Sequence, residues 1–438
     1  MSLAAYLVAR QNSVIASQLN IAGIPMPSPF IIAMTGQSLI HHDIRNSCDR
    51  GFASITDILK RADVAFTNFE STILGRHGGA PMKGSYFGCS DPSVLDALKQ
   101  AGFNTLALAN NHAFDLGPPG ILSTLEEVEA RDFLHAGIGL DLDHAILPGV
   151  KSLGGRDVAL VAMDAGPGPE TMYADNARFR RPSRPGANRL DVTRIFETDQ
   201  ATFDMLETVQ TTFQSSKLER ANYAQPDDPA IVDEESEIDF YGTIFRRSDT
   251  NRRKVVIDPD SALNQLAVIA RAAMHGQFVI AYLHHHHWEP NWQEVPDWVQ
   301  AFAHACIDAG AHAFVSHGTP ALQPIEIYKG APIFFGLGNF LFHTEKGETE
   351  WSPPEVWKSV VATCAFDPDG LLQSIDILPI VIGGEERLKD NHFHERYVPT
   401  PASGKMAAQI IDDLAKRSAP FGTVIKRHGT IGRISATD

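Results

Sequence analysis

The chain has 438 residues, which leaves room for one large α/β domain or two to three ordinary ones. Hydrophobic residues at 43% and charged residues at 21% are the balance of an enzyme-sized packed core and exclude disorder over most of the length. A formal net charge of −16 repels nucleic acid and anionic lipid surfaces, so neither nucleic acid nor membrane is expected as a partner.

The opening MSLAAYLVARQNSVIASQLN lacks a basic start and is interrupted by Arg10, Gln11 and Asn12, so it does not read as a signal peptide. No run of eighteen apolar residues occurs elsewhere, which makes a soluble cytoplasmic protein the expectation. Cys48, Cys89, Cys306 and Cys364 stand far apart without ribbon spacing and read as reduced, mostly buried thiols.

From Ile31 onward one rhythm recurs: a short apolar run, a polar turn, then a helical pattern, which is the rhythm of an α/β core. PFIIAMTGQSLIHHD is a buried strand ending in Gly36 and Gln37, SITDILKRA a helix, and ADVAFTNFEST a strand that delivers Asn68 and Glu70 at its C-terminal end. DPSVLDALKQAG predicts a helix with Asp91 as N-cap and Pro92 at its first position, closing at Gly102. FNTLALANNHAFDLG reads as a strand and a polar turn leading into the helix ILSTLEEVEARD. The strand VALVAMDAG ends in a Gly/Pro-rich turn, and from about residue 166 to 260 the composition becomes arginine-rich and then acidic. This stretch is expected to be an insertion or lid on a single domain spanning 1–438. The rhythm resumes with a helix over Ser261 to Gly276, the strand QFVIAYL, HHHHWEPNW, a helix over Trp298 to Ala309 and the strand AHAFVSHG. A hairpin around Lys329 and Gly330 follows, then a strand pair through Val360 to Ala365 and Leu371 to Ile377. From about residue 390 a C-terminal extension carries GKMAAQIIDDLAKRSA, an amphipathic packing helix.

In open α/β sheets ligands bind outside the carboxyl ends of the strands. Reading only those positions gives Gln37, Asn68, Glu70, Asn110 to His112 with Asp115, His284 to His287, and His317. Histidine, asparagine and carboxylate together are the ligand palette of a Zn, Mn or Fe hydrolase. In ANNHAFD, Asn111 either caps the next helix or offers its side-chain oxygen to a metal. His112 would then be a general acid whose ring Asp115 orients. The four histidines form either a surface cluster or a chelating pair. If the chain stays extended, alternation sends His284 and His286 to one face and His285 and His287 to the other, so no more than two need be ligands. His317 is followed by Gly318, a backbone permissive enough to bend around an ion. The chain has no GxxxxGK[ST], no GxSxG, no GxGxxG after a strand and no HExxH, which sets aside nucleotide-cofactor and serine-hydrolase chemistry.

The strings DVAFTNFEST, FNTLALANNHAFDLGPPGIL, RPGANRL, VIAYLHHHHW and IEIYKGAPIFFGLGNF, in this order, resemble the CapA or poly-γ-glutamate capsule-synthesis family from about Phe30 to Ile380. The resemblance implies a calcineurin-like metallophosphatase fold, a four-layer αββα sandwich with a polar insertion. It also implies a divalent metal (Zn, Mn or Fe) at the strand ends, with Glu70, Asn111, His112, His284, His286 and His317 in the site. Two positions depart from the family pattern. Gly36-Gln37 stands where the family usually has Gly-Asp with a ligating carboxylate, and HGTP puts Thr319 or Pro320 where a second histidine is usual. One ion per site is therefore the expectation. The implied activity is hydrolysis of a phosphoester or a γ-glutamyl or other amide in a small or oligomeric anionic substrate. Gln37, Arg181, Arg184 and Asn188 are candidates to bind that substrate. The alternative is a non-catalytic accessory or binding protein of capsule-polymer synthesis.

Overall fold

The apolar runs of the first third become four parallel strands, Phe30–Met34, Val64–Asn68, Thr105–Ala107 and Leu134–Ala136, lying side by side in that order. The computed structural model describes residues 28–47, 49–84, 88–213, 236–240, 242–344, 353–390 and 398–435. Within these, Lys358–Phe366 pairs antiparallel with Phe30–Met34, and Leu372–Ile382, Ile431–Ser435 and Lys426–His428 continue outward in an antiparallel series. Pro399–Pro401 adds to Leu372–Ile382 and completes a nine-stranded mixed sheet.

A second, six-stranded sheet runs Ile325–Tyr328, Ala331–Phe334, Ala313–His317, Phe278–His284, Arg156–Asp164 and Gly149–Leu153. Its four central strands are parallel to one another. Its first two strands form the hairpin turning at Lys329 and Gly330. Inner faces of both sheets meet in one core that includes Ile32, Phe66, Ala107, Leu160, Ile280, Tyr282 and Val315. Burial on both faces is why these strands read as continuous apolar runs instead of alternating ones.

Helices cover the outer faces. Arg50–Arg61 buries Phe52, Ile55 and Leu59, is capped by Asp49 accepting from the backbone of Gly51 and Phe52, and ends in Lys60 and Arg61, which suit its C-terminal dipole. With Ser93–Ala101 and Gly117–Ala130 it packs on the first sheet. Pro259–Met274, capped by Asp258, and Asp297–Asp308 pack on the second. The result is the four-layer αββα sandwich. Gly404–Ser418 buries Ala407, Ile410, Ile411 and Leu414 against the inner core near the far strands of the first sheet. The segment beyond 398 is thus a strand, this helix and two strands joined to the first sheet.

Residues 192–257 lie within the stretch expected to be an insertion or lid. Val192–Thr198, Glu237–Phe240, Thr243–Arg247 and Arg252–Ile257 pair into a separate four-stranded sheet beside the helix Gln200–Phe213. Most of the acidic run, the opening segment and Cys48 lie outside the described residues. Cys306 and Cys364 are buried thiols and Cys89 is half-buried. No helix among the described residues is long and apolar enough to cross a membrane.

Register places the polar strand ends. Asp164 lies opposite His284, and His284 opposite His317, on three adjacent parallel strands. Two residues earlier, Ala162, Tyr282 and Val315 sit in the inter-sheet core, so the three polar side chains share that inner face at the C-terminal edge. Just past His317 the chain must turn sharply: Gly318 has φ +113, and a Cβ there would lie 1.9 Å from the His285 carbonyl oxygen. Gly318→Ala is expected to lower unfolding free energy in urea titration by at least about 1 kcal/mol, because the strained backbone and the clash add.

Candidate metal centre

At this shared edge Glu70, His284 and His286 place one ligand atom each within 4.8 Å of one another. Glu70 arrives two residues past the strand Val64–Asn68, from the first sheet, and His284 ends a strand of the second, so the centre spans the mouth between the sheets. Past His284 the chain stays extended long enough to separate the histidines. His286 tilts beside His284, whereas His285 and His287 lie edge-on to Trp298 behind the second sheet.

A ring of second contacts holds the ligating groups. His284 Nδ1 meets Asp164 Oδ1 at 2.8 Å, and Asp164 Oδ2 accepts from the Tyr173 hydroxyl at 3.0 Å and the Gly166 amide at 3.1 Å. His284 Nε2 stands 3.5 Å from Glu70 Oε1. Asn110 ties the neighbouring strand ends together, donating to Asn68 Oδ1 at 3.0 Å and the Phe69 carbonyl at 2.8 Å. His112 Nδ1 sits 2.7 Å from Asp115 Oδ2, which also accepts from the Gly88 amide at 2.6 Å.

Several buried polar atoms here have no hydrogen-bond partner: Glu70 Oε2, Asn111 Oδ1, His284 Nε2, His286 Nε2 and both ring nitrogens of His317. A buried polar atom left unpaired costs about 1–3 kcal/mol, so a cluster of them needs an occupant. A carboxylate, an amide oxygen and imidazole nitrogens are all electron-pair donors suited to a divalent cation, and the residues present fit one. Burial holds His286 and His317 as neutral imidazoles, the state a ligand requires; His317 is depressed to about 3. Burial also opposes charge on His284, but the Asp164 and Glu70 carboxylates outweigh it and raise its pKa to about 9.

Other expected residues lie elsewhere in the contact network. Gln37 is buried, and its Oε1 accepts from the Gly318 amide at 3.0 Å, bracing the turn after His317. Thr319 donates to the Trp292 carbonyl at 3.2 Å. Three residues expected to bind substrate make contacts within the protein. Asn188 is buried with both ends of its amide engaged by Ala162 and Gln265, leaving no free polar group for a ligand. Arg184 donates to the carbonyls of Tyr173 and Glu170, and Arg181 pairs with Asp175 at 3.0 Å, so both arginines stabilise the segment behind Asp164. Asp164 itself went unread although it ends a buried strand, and the strand-end rule applied to VALVAMDAG would have found it. Lys83 also went unread: its ammonium meets the Asn111 carbonyl oxygen and lies 3.4 Å from Asp115 Oδ1.

Residues 31–344 match the family described as Bacterial capsule synthesis protein PGA_cap. The chain belongs to this family. Among its relatives, the uncharacterized protein y4sH of Sinorhizobium fredii is 29% identical over 447 residues, covering 92% of this chain and 93% of the relative. The capsule biosynthesis protein CapA of Bacillus anthracis is 23% identical over 304 residues, which are 68% of this chain and 55% of that protein. Among solved structures, the 5'-nucleotidase precursor from Thermus thermophilus matches with a TM-score of 0.37 and 11% identity, over 80% of this chain and 54% of that one. The four-layer arrangement stands on the strand order itself and takes nothing from that likeness.

In this capsule-synthesis family member, Asp164→Asn should weaken binding of added Mn or Zn by roughly 10–100-fold in calorimetric titration, the usual cost of losing a carboxylate behind a ligating histidine. The sign of the pH dependence follows from His284. Its folded pKa of about 9 lies above the ordinary 6.5, so in chelator-treated protein its stabilisation is full below 6.5 and is lost as pH rises through 9. Urea stability of the chelated protein should therefore fall across that window. Metal affinity should rise across it, with proton release seen as a dependence of calorimetric enthalpy on buffer.

Proposed function

We propose that the chain is a metal-dependent hydrolase whose substrate belongs to the chemistry of a capsule-type polymer, either a phosphoester or a γ-glutamyl or other amide. The observation that carries this reading is the group of buried, unpaired donors at Glu70, His284 and His286, together with unpaired donors at Asn111 and His317 and the His112–Asp115 pair. Glu70, His284 and His286 would hold the ion, with Asn111 and His317 as further candidate donors. A divalent ion bound there supplies Lewis-acid polarisation and makes a water acidic enough to ionise near neutral pH.

The chain's own residues supply the rest. Asp115 holds His112 through Nδ1, so Nε2 is the ring atom left to give a proton to the departing oxygen or nitrogen. Asp164 fixes the orientation of His284, with Tyr173 and the Gly166 amide locking the carboxylate behind it. Gln37 stands at one position that departs from the family pattern, and Thr319 or Pro320 at the other. The Gln37 oxygen is bonded to Gly318 and the Thr319 hydroxyl to Trp292, which favours one ion per site. The same two contacts favour a second reading, a binding or accessory protein that kept the pocket without turnover.

The discriminating experiment compares His112→Asn with wild type on phosphoesters and γ-glutamyl amides of graded leaving group. With alkyl leaving groups, which need a proton, kcat should fall about 10²–10⁴-fold at unchanged metal content. With p-nitrophenolate, which needs none, the loss should be much smaller. Equal losses across the series would remove the acid role. Absence of wild-type turnover across both substrate classes would favour the accessory reading. His317→Ala should lose both metal and turnover; retained turnover would take the metal out of the mechanism.

A further inference from the structure

Residues 76–84 and Gly88 meet the turn that carries Asn111, His112 and Asp115. Three contacts hold them there. The Met82 amide donates to the Asp115 carbonyl at 2.9 Å, and the Gly88 amide donates to Asp115 Oδ2 at 2.6 Å. Gly79, with φ +133, passes so close to Leu116 that a Cβ would lie 2.5 Å from the Leu116 carbonyl oxygen. Lys83 sits between these anchors, so backbone contacts on both sides fix its position over the site.

A lysine ammonium carries three N–H donors. Among the described contacts, two face the Asn111 carbonyl oxygen and the Asp115 carboxylate. The side chain is 30% exposed, and its head contacts residues of the buried site. Its positive charge is felt at His286, one of the three clustered metal-type residues, so the ammonium lies within electrostatic reach of the centre. Arg181 and Arg184, the cations that composition pointed to, are held by Asp175, Glu170 and the Tyr173 backbone.

We propose that Lys83 is the anion-binding residue of this site, taking with its remaining donor the phosphoryl or carboxylate oxygen of the substrate next to the scissile bond. The assignment rests on the hydrolase reading for its place in a reaction, but the binding itself is testable without turnover. A compact, charge-bearing head on a docked loop suits a single oxyanion. The same contacts with Asn111 and Asp115 let the bound anion adjoin both the metal-type donors and the His112 proton.

The test is calorimetric titration of Mn-loaded wild type, Lys83→Met and Lys83→Arg with inorganic phosphate and, separately, with glutarate. Metal content and thermal unfolding are measured on each protein. At least one anion should bind the wild type and lose about tenfold or more in affinity in Lys83→Met, with metal and Tm unchanged, the scale expected for one charge-assisted hydrogen bond. Lys83→Arg should recover most of that loss. Selective loss of phosphate marks a phosphoester substrate, and selective loss of glutarate marks a carboxylate-bearing one. A Lys83-dependent anion site in a protein without turnover would uphold this assignment and refute the hydrolase reading alone. Wild-type affinity for both anions in Lys83→Met, no binding of either anion by wild type, or loss of metal in Lys83→Met would overturn it.

Discussion

The contact on which the site depends is the 2.8 Å pairing of Asp164 with His284, two residues at the same level of adjacent parallel strands in the second sheet. It is created by register, since a slip of one residue would turn His284 away from the inter-sheet face and leave the carboxylate opposite Leu283. The carboxylate is in turn held by Tyr173 and Gly166, so the insertion's first turn and the core strands both converge on one imidazole. With His284 fixed, His317 follows on the next strand and Glu70 faces it from the other sheet. Charge competes with metal at this point. The same two carboxylates that would help hold a cation favour a proton on His284, whereas His286 and His317 are kept neutral by burial.

Much of this was legible in the sequence because strand ends in an α/β sheet converge by topology. Apolar runs ending in polar residues placed Glu70, Asn111, His112, His284, His286 and His317 near one edge, and the period of two separated the histidines into a site-facing pair and a pair against Trp298. Asp164 escaped because the Gly/Pro-rich turn after it read as the start of an insertion. Lys83 escaped for a different reason. It lies in an irregular glycine-rich stretch where no periodicity fixes direction, and its position depends on backbone contacts with a turn some thirty residues later in the chain. Arg184 and Asn188, placed by composition, make contacts that hold the chain behind Asp164. Composition also concealed a sheet: VTRIFET and RRKVVI are strand-forming sequences that pair with each other inside the stretch expected as an insertion or lid.

Family membership and the geometry bear on the same part of the chain. The chain matches the capsule-synthesis family from 31 to 344, which spans every donor of the centre. Gln37 braces the Gly318 turn and Thr319 reaches the Trp292 carbonyl, so both side chains are engaged in local structure. A single ion beside the His112–Asp115 pair and Lys83 is the arrangement proposed for this site.

The central claim is that the buried donors at the meeting of the two sheets hold a divalent cation. Elemental analysis of protein purified without an affinity tag, with Zn, Mn and Fe measured in wild type and His284→Ala, tests it most directly. The account predicts close to one ion per chain in the wild type and its loss in the variant. A wild type that carries no metal, even after Mn or Zn is added back, would contradict it.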